Sequence, residues 1–486
     1  MLKWNKKNKC YLLLVLCCFL SMSFGGTLVQ AESDSDSYNY SYWGNTVGSP
    51  APYQATALMD GNSLNVGIFN EPSDLHVTLD HHIYVLDSGN SRVVILDDQY
   101  KVLDIIDSFL KDGQQEIFSK PQGIFVTEDK HIYIADTGNK RVVHLNQNFE
   151  LMKVVESPQS ELLQENFEFL PVRIVVDNAK RIYVMATGVF DGFMEFNADG
   201  EFTTFIGANR VTIDPIEYLW KTLSTKEQRS QMVQFTPMEF TNLDINDEGF
   251  IYATNGQEND NIKKLNAQGN NILREEGYFL PSGDISYSSD VGPSRMIDID
   301  VTNSEIYSAL DSKRGRIFTY NGDGHLMYVF GGLGNQLGEF VAPVAIARVG
   351  DDFLVLDKAL GEITIFRTTA YGRTLNEAVR SYYRGDEEAA YKLYNETINM
   401  NANLEFAYSG IGKSLIRQGD YDGAMTYFKE SIDQKGYSKA FLLHRKEVLR
   451  GYFPIIMTCI VLLVFITFIW SKVRKTKGGR KIVNME

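Results

Sequence analysis

The sequence predicts a mainly β protein: a six-bladed β-propeller followed by a small α-helical segment and one transmembrane helix. Three observations carry this prediction. A unit of roughly fifty residues, built from short apolar strands, recurs six times along the chain. A helical pattern with a period of thirty-four residues follows it. Nineteen uncharged residues near the C-terminus then form a stretch long enough to cross a bilayer.

The recurring unit is clearest where the sequence nearly repeats itself. Residues 82–96 read HIYVLDSGNSRVVIL, and residues 131–145 read HIYIADTGNKRVVHL. A proline opens each unit, at Pro72, Pro121, Pro171, Pro237, Pro293 and Pro343. After each proline come an apolar strand, a polar turn, a second strand, a turn and a third strand, which is typical of a propeller blade. We therefore predict six blades over residues 45–368.

The sixth unit lacks its outer strand. The first five units each contain a fourth apolar stretch, whereas the sixth ends at ITIF and passes directly into helical sequence. The stretch YQATALM, residues 53–59, precedes the first blade and has no other assigned role. Because an unpaired strand edge readily accepts another strand, we expect residues 53–59 to complete the sixth blade and close the ring.

The residues of the repeated turn predict a structural role more strongly than a catalytic one. Its residues are Asp87, Gly89 and Arg92 in the first unit and Asp136, Gly138 and Arg141 in the second. We expect each aspartate to accept backbone N–H bonds in the turn, each glycine to permit positive φ, and each arginine to reach the carboxylate. A catalytic acid with its clamp would use the same residue types, but repetition in adjacent units favours a structural role.

The two ends of the chain predict export and anchoring. Residues 1–31 begin with four lysines, continue with a short apolar run and finish with Val29 and Ala31, as a signal peptide cleaved after Ala31 would. Residues 452–470 match the hydrocarbon thickness and predict a transmembrane helix. Six cations occur in residues 471–486, so the positive-inside rule predicts a cytoplasmic tail and an extracellular body in the cell membrane.

The positions of the cysteines and the net charge exclude several kinds of site and partner from the body. Cys10, Cys17, Cys18 and Cys459 all fall in the predicted signal and anchor, which excludes disulfides, thiolate metal sites and cysteine nucleophiles from the predicted body. The chain carries −15, the signal +4 and the tail +6 − 1 = +5, so the body carries −15 − 4 − 5 = −24. An acidic surface of this kind disfavours nucleic acid as a partner.

Two resemblances follow from these motifs. DSGNSRVV and DTGNKRVV, each between an IY strand and an apolar strand, resemble the NHL repeat, whose six-bladed propellers bind proteins, RNA or small ligands. The match is looser in the fifth and sixth units and degraded in the third and fourth. RQGDYDGAMTYFKESI, within residues 371–450, resembles the tetratricopeptide repeat, which implies a helical arm that binds an extended peptide or a neighbouring membrane protein.

The period of thirty-four residues is visible at three matched pairs of positions. Gly385, Ala390 and Tyr394 recur as Gly419, Ala424 and Phe428. Small residues at helix crossings and aromatic residues between helices are typical of helical repeats. Two repeats are fewer than the three usually needed, so we expect them to pack on the propeller or on the helix over residues 439–450.

The candidate site lies on the innermost strands. In the first four units, the residues ten positions before the tyrosine of the IY pair are Asp74, Gly123, Arg173 and Asn242, and Arg295 lies near the corresponding place in the fifth unit. Arginines donate forked bonds to carboxylates, phosphates or vicinal hydroxyls, while an aspartate and an asparagine orient a ligand. We therefore predict that Asp74, Arg173, Asn242 and Arg295 bind an anionic or sugar-like ligand. An internal Asp74–Arg173 pair that only stabilises the wall stays open.

The enzymatic alternative is a gluconolactonase-like hydrolase, whose propeller holds a metal at the channel with Glu, Asn and Asp. Two arginines beside a single carboxylate would repel a divalent cation. The sequence contains no Ser-His-Asp arrangement, phosphate loop or zinc spacing. We therefore predict an exported, membrane-anchored binding or scaffold protein that engages a protein partner or a small polar ligand without a cofactor, and keep the hydrolase as the alternative.

Overall fold

The computed structural model describes residues 37–163, 167–208, 239–257 and 260–479. The predicted signal peptide, residues 1–31, lies outside them. The described chain folds as a six-bladed β-propeller followed by five helices, as the sequence predicts. The innermost strands contact one another in a ring around a central channel, with blade 6 meeting blade 1.

Each blade is an antiparallel sheet whose strands follow one another from the channel outward. The strands are Asp74–Val77, Ile83–Asp87, Arg92–Leu96 and Val102–Ile106 in blade 1; Gly123–Val126, Ile132–Asp136, Arg141–Leu145 and Leu151–Val155 in blade 2; Pro171–Val176, Ile182–Ala186, Phe193–Phe196 and Phe202–Ile206 in blade 3; Phe240–Ile245, Ile251–Asn255 and Ile262–Leu265 in blade 4; Met296–Val301, Tyr307–Asp311, Arg316–Tyr320 and Leu326–Phe330 in blade 5; and Pro343–Val349, Asp352–Asp357, Glu362–Thr368 and Tyr53–Asp60 in blade 6. The second strands are buried throughout because neighbouring blades cover both of their faces.

The outer strand of blade 6 comes from the N-terminus, which confirms the predicted closure. Tyr53–Asp60 runs antiparallel to Glu362–Thr368, with Tyr53 opposite Thr368 and Asp60 opposite Glu362. Tyr53 and Met59 are buried on this strand. The edge that blade 6 would otherwise expose is therefore paired.

Blade 4 departs from the prediction of a fourth apolar strand in each of the first five units. Its sheet has three strands in the part of the chain that the structure describes, and beyond Leu265 only a single bridge to Asn271 continues it. Three further pairs of short strands lie outside the blades: Tyr38–Tyr40 with Thr46–Gly48, Ser108–Lys111 with Gln114–Ile117, and Gly332–Leu333 with Glu339–Phe340.

In the repeated turn the predicted contact between aspartate and arginine forms, whereas the backbone N–H group that binds Asp87 comes from the preceding loop and not from the turn. Asp87 is fully buried, and its carboxylate accepts bonds from the Asn70 backbone N–H at 2.7 Å and from Arg92 Nε at 2.8 Å. The role predicted for Gly89 is wrong, because the positive φ falls on Ser91 (54°). A Cβ at Gly89 would lie 2.5 Å from the Asn70 carbonyl oxygen, so a glycine is required there by the close approach of the chain.

The five helices follow the last blade without a break. They are α1 (Ala370–Arg384), α2 (Glu387–Met400), α3 (Glu405–Gln418), α4 (Tyr421–Glu430) and α5 (Gln434–Gly479). The period of thirty-four residues marks equivalent points of two helix pairs: Gly385 and Gly419 end α1 and α3 with φ of 80° and 86°. The assignment to tetratricopeptide repeats stays a prediction.

Helices α1 to α4, here called the helical arm, pack against blades 5 and 6. Tyr371 and Leu375 of α1 share a core with Tyr53 and Phe330. An ion pair between Lys413 Nζ and Asp323, at 2.7 Å, joins α3 to blade 5. Helix α5 contains an apolar stretch with no part buried, and it is long and apolar enough to cross a membrane.

Candidate functional site

A cavity of about 570 Å³ occupies the channel. The innermost strands of all six blades line it, and it extends to the turns that connect them to the second strands. Because side chains alternate along a strand, two tiers face inward, two residues apart. The first tier holds Asp74, Arg173, Asn242 and Asp298, and the second holds His76, Phe125, Asp244 and Asp300.

Three of the four predicted site residues line this cavity, namely Asp74, Arg173 and Asn242. Arg295 does not: it is exposed, and its backbone N–H donates to Asp311 at 2.9 Å. The reason is a register difference. In blade 5, Ser308 occupies the place opposite the second tier that a tyrosine holds in blades 1 to 4. Counting back from Ser308 instead of Tyr307 gives Asp298.

Asp74 and Asp298 join neighbouring blades. Asp74 Oδ2 accepts a bond from the Ile124 N–H at 2.8 Å, and Asp298 Oδ2 accepts one from the Ile346 N–H at 2.5 Å. Burial raises the pKa of both carboxyls, and Arg173 partly offsets the effect. Asn242 donates to the other oxygen of Asp298. These carboxylates satisfy backbone N–H groups of the neighbouring innermost strands, while facing the cavity.

Arg173 connects three blades through backbone carbonyls. It donates to Ser73 at 3.2 Å, to Val172 at 3.0 Å and to Gln122. Among the described residues no ion pair joins Arg173 to Asp74 within 4.0 Å. The side chain of Arg173 therefore binds the channel wall through backbone carbonyls and not through the direct Asp74–Arg173 pair that the sequence left open. The Arg173 Nε is buried and has no hydrogen-bond partner within the described chain.

The second tier contains carboxylates that sequence reasoning missed. Asp244 accepts bonds from the backbone N–H groups of Ile245 and Val301, both at 2.8 Å. Asp300 pairs with the Arg348 guanidinium, which also donates to Ser308 at 2.6 Å. Burial, reinforced by the charge of Asp300, raises the pKa of Asp244 to about 7. The alternation of strand side chains was a signal that could have found this tier.

His76 adds a neutral ring to the same tier. Its Nε2 lies 3.0 Å from the Val126 carbonyl oxygen, and its ring centroid lies 4.9 Å from that of Phe125. Burial lowers the pKa of His76 to about 4, so the ring is uncharged at neutral pH. Nε2 therefore carries the proton that bonds the carbonyl, and Nδ1 is left as an acceptor.

The charges of the first tier differ from those that the sequence predicted. The sequence placed two arginines beside one carboxylate, whereas the first tier holds two carboxylates and one arginine. Even so, no group of three His, Cys, Asp or Glu within the described chain could hold a metal ion. Backbone N–H groups occupy part of each carboxylate.

Comparisons with known proteins return one family model and several distant solved structures. The family model of the NHL repeat matches residues 118–145, which hold the DTGNKRVV motif. A search of curated proteins returns no match. Among solved structures, a virginiamycin B lyase from Staphylococcus aureus is 9% identical, with a TM-score of 0.41, covering 65% of this chain and all of its own. A protein of unknown function from Bacteroides thetaiotaomicron is 12% identical with a TM-score of 0.41, covering 68% of this chain and 76% of its own.

Proposed function

We propose that this chain is an exported, membrane-anchored binding protein whose propeller channel takes a small polar ligand. The observation that carries the proposal is the channel cavity. Its volume of about 570 Å³ falls in the range of small-molecule sites, roughly 300–1,000 Å³. Asp74, Asn242 and Arg173 converge on it from three blades.

The distribution of donors and acceptors favours a sugar-like ligand over an anion. The two arginines that line the cavity already donate to protein oxygens: Arg173 to three carbonyls, and Arg348 to Asp300 and Ser308. The carboxylates of both tiers accept one bond or more from the protein and keep lone pairs for others. Four carboxyl groups against two engaged arginines leave an acceptor-rich cavity, which a ligand with several hydroxyl donors would satisfy.

The helical arm is the proposed contact for a protein partner. In α3, a Cβ at Gly412 would lie 2.9 Å from the Phe428 ring, and one at Gly410 would lie 2.7 Å from the Tyr394 ring. Aromatic rings seated on glycines across a helix pair support the tetratricopeptide-like assignment. The exposed apolar stretch of α5 supports the anchor, and residues 471–486 would then form the cytoplasmic tail.

Ligand binding is tested by saturation-transfer NMR on the full chain in detergent, with glucose, sorbitol and gluconate as probes. We expect the two neutral probes to bind. Asn242→Ala should weaken them about two- to tenfold, the scale of one hydrogen bond. The matched control is Asn148→Ala, at an exposed turn outside the cavity. Failure of every probe would contradict a channel site, and a metal-dependent lactone hydrolysis abolished by Asn242→Ala would favour the hydrolase.

Anchoring and sidedness are tested separately. Protease added to intact cells should degrade the propeller and the helical arm and leave a fragment that begins near residue 452. A full-length chain that stays protected in intact cells, yet is cleaved after lysis, would overturn the proposed topology.

A further inference from the structure

Helix α5 runs from the helical arm into the apolar stretch without a linker. It begins at Gln434, buries Ala440 in the core shared with α4, and continues to Gly479. The apolar stretch begins at Tyr452, eleven residues after Phe441. We call residues 441–451 the membrane-proximal segment, because the helix must carry them at the edge of the bilayer if residues 452–470 span it.

The membrane-proximal segment is exposed and basic. Arg445, Lys446 and Arg450 are exposed, and none of them forms an ion pair within 4.0 Å among the described residues. Its one acidic residue is Glu447. Large apolar side chains alternate with these cations: Phe441, Leu442 and Leu449 are 48%, 41% and 56% exposed. Nothing in the part of the chain that the structure describes covers either group.

The helical rise places these cations at the depth of lipid headgroups. At about 1.5 Å per residue, Arg450 lies roughly 3 Å from Tyr452 along the axis, and Arg445 roughly 10 Å. The headgroup layer is about 5–8 Å thick on each side of the hydrocarbon. Long Lys and Arg side chains cover the remaining distance, because their charged ends extend away from the stem.

We propose that the membrane-proximal segment binds the headgroups of anionic phospholipids, an inference that rests on the proposed membrane anchor. Charge complementarity commits the surface to this occupant. Unpaired cations beside exposed apolar side chains suit the boundary between headgroups and acyl chains, where the apolar groups enter and the cations meet phosphate. The body as a whole is strongly acidic, so this attraction is confined to the segment. It holds the helical arm against the bilayer.

The test reconstitutes the full chain in phosphatidylcholine vesicles that contain one-quarter phosphatidylglycerol. Electron spin resonance compares how much spin-labelled phosphatidylglycerol and phosphatidylcholine the protein immobilises. The test variant removes three cations: Arg445→Gln, Lys446→Gln and Arg450→Gln. The matched variant removes three on the other flank: Lys472→Gln, Arg474→Gln and Lys475→Gln. Glu447→Gln serves as a control of opposite sign.

We expect the wild type to immobilise phosphatidylglycerol in preference to phosphatidylcholine. The part of this preference that the membrane-proximal segment contributes should fall at least about fivefold in the test variant, which is the effect of losing one cation at a surface. The preference should fall with salt, and Glu447→Gln should raise it. If the matched variant loses preference while the test variant equals the wild type, the proposal is wrong and an acidic protein becomes the better occupant. If alkaline carbonate extracts the chain and neither lipid is immobilised, the anchor itself fails.

Discussion

Replacing Tyr53 with alanine tests the closure of the ring. Tyr53 lies on the N-terminal strand, is 2% exposed, and packs with ring centroids 4.7 Å from Phe330 and 5.1 Å from Phe353. Its hydroxyl lies 3.3 Å from Nδ2 of Asn376 in α1. One side chain thus joins the N-terminal strand to blades 5 and 6 and to the helical arm.

The expected loss of stability follows from the burial of the Tyr53 side chain. A tyrosine buries about 150–200 Å², and at about 25 cal/mol per Å² this gives roughly 4–5 kcal/mol for the whole side chain. Aromatic-to-alanine changes in cores cost about 3–5 kcal/mol, because a cavity remains. We expect Tyr53→Ala to lower the free energy of unfolding by that amount, and Tyr53→Phe to lower it by about 1 kcal/mol through the lost hydroxyl bonds.

The assay is denaturant unfolding of the full chain in detergent, followed by near-ultraviolet circular dichroism. Leu58→Ala is the matched control, because Leu58 lies on the same strand but is 50% exposed. It should change the free energy by less than about 1 kcal/mol. If Tyr53→Ala costs no more than Leu58→Ala, the strand does not hold the ring closed, and the reasoning is refuted.

Three further changes have defined outcomes. Asp136→Ala removes a buried carboxylate that accepts bonds from Ser119 N–H at 2.7 Å and Arg141 Nε at 2.8 Å; it should lower the free energy of unfolding by about 3–5 kcal/mol, whereas the exposed Asp98→Ala should not. Gly412→Ala should cost about 1–3 kcal/mol by crowding the Phe428 ring, while Gly451→Ala, with open space around it, should not destabilise. Asp244→Asn tests the pH dependence of stability. Because the folded pKa of Asp244, about 7, exceeds the unfolded value of about 3.9, the stability that this group contributes in the wild type falls as pH rises from about 4 to about 7. The melting temperature of the variant should therefore change less between about pH 4 and about pH 8. A wild type whose melting temperature follows the variant's at every pH would contradict that assignment.

The sequence allowed the blades and the closure to be predicted because both depend on local pattern. Each blade repeats its own strand and turn residues, and the missing outer strand of blade 6 left one stretch, residues 53–59, with no other place to pair. Blade 4 has no fourth strand within the described residues, and this was harder to predict, since the apolar residues after Asn271 resemble a strand but pack without a ladder. Pairing depends on the partner edge, which local pattern does not describe.

The channel residues were only partly predictable. Asp74, Arg173 and Asn242 follow from a fixed spacing to a tyrosine, and that spacing fails in blade 5, where Tyr307 stands one position early. The second tier is predictable from the alternation of strand side chains, but a spacing that selects one residue per blade does not include Asp244 and His76. The contacts of Arg173 with the carbonyls of Ser73 and Gln122 depend on how blades meet across the channel, which no spacing within a blade reveals.

Because Tyr53 pairs with Thr368, the order in which the chain is synthesised differs from the order in which it can finish folding. The N-terminal strand is synthesised first, yet its partner is 315 residues later in the sequence. Blades 1 to 5 can assemble as they appear, but the ring stays open until the last blade arrives, and loop closure over so long a distance is slow. The Thr369 N–H bonds the Pro52 carbonyl at 3.0 Å, so α1 starts at the same junction. The part of the docking surface that Pro52 and Tyr53 contribute to the helical arm therefore forms only at the final step of propeller folding.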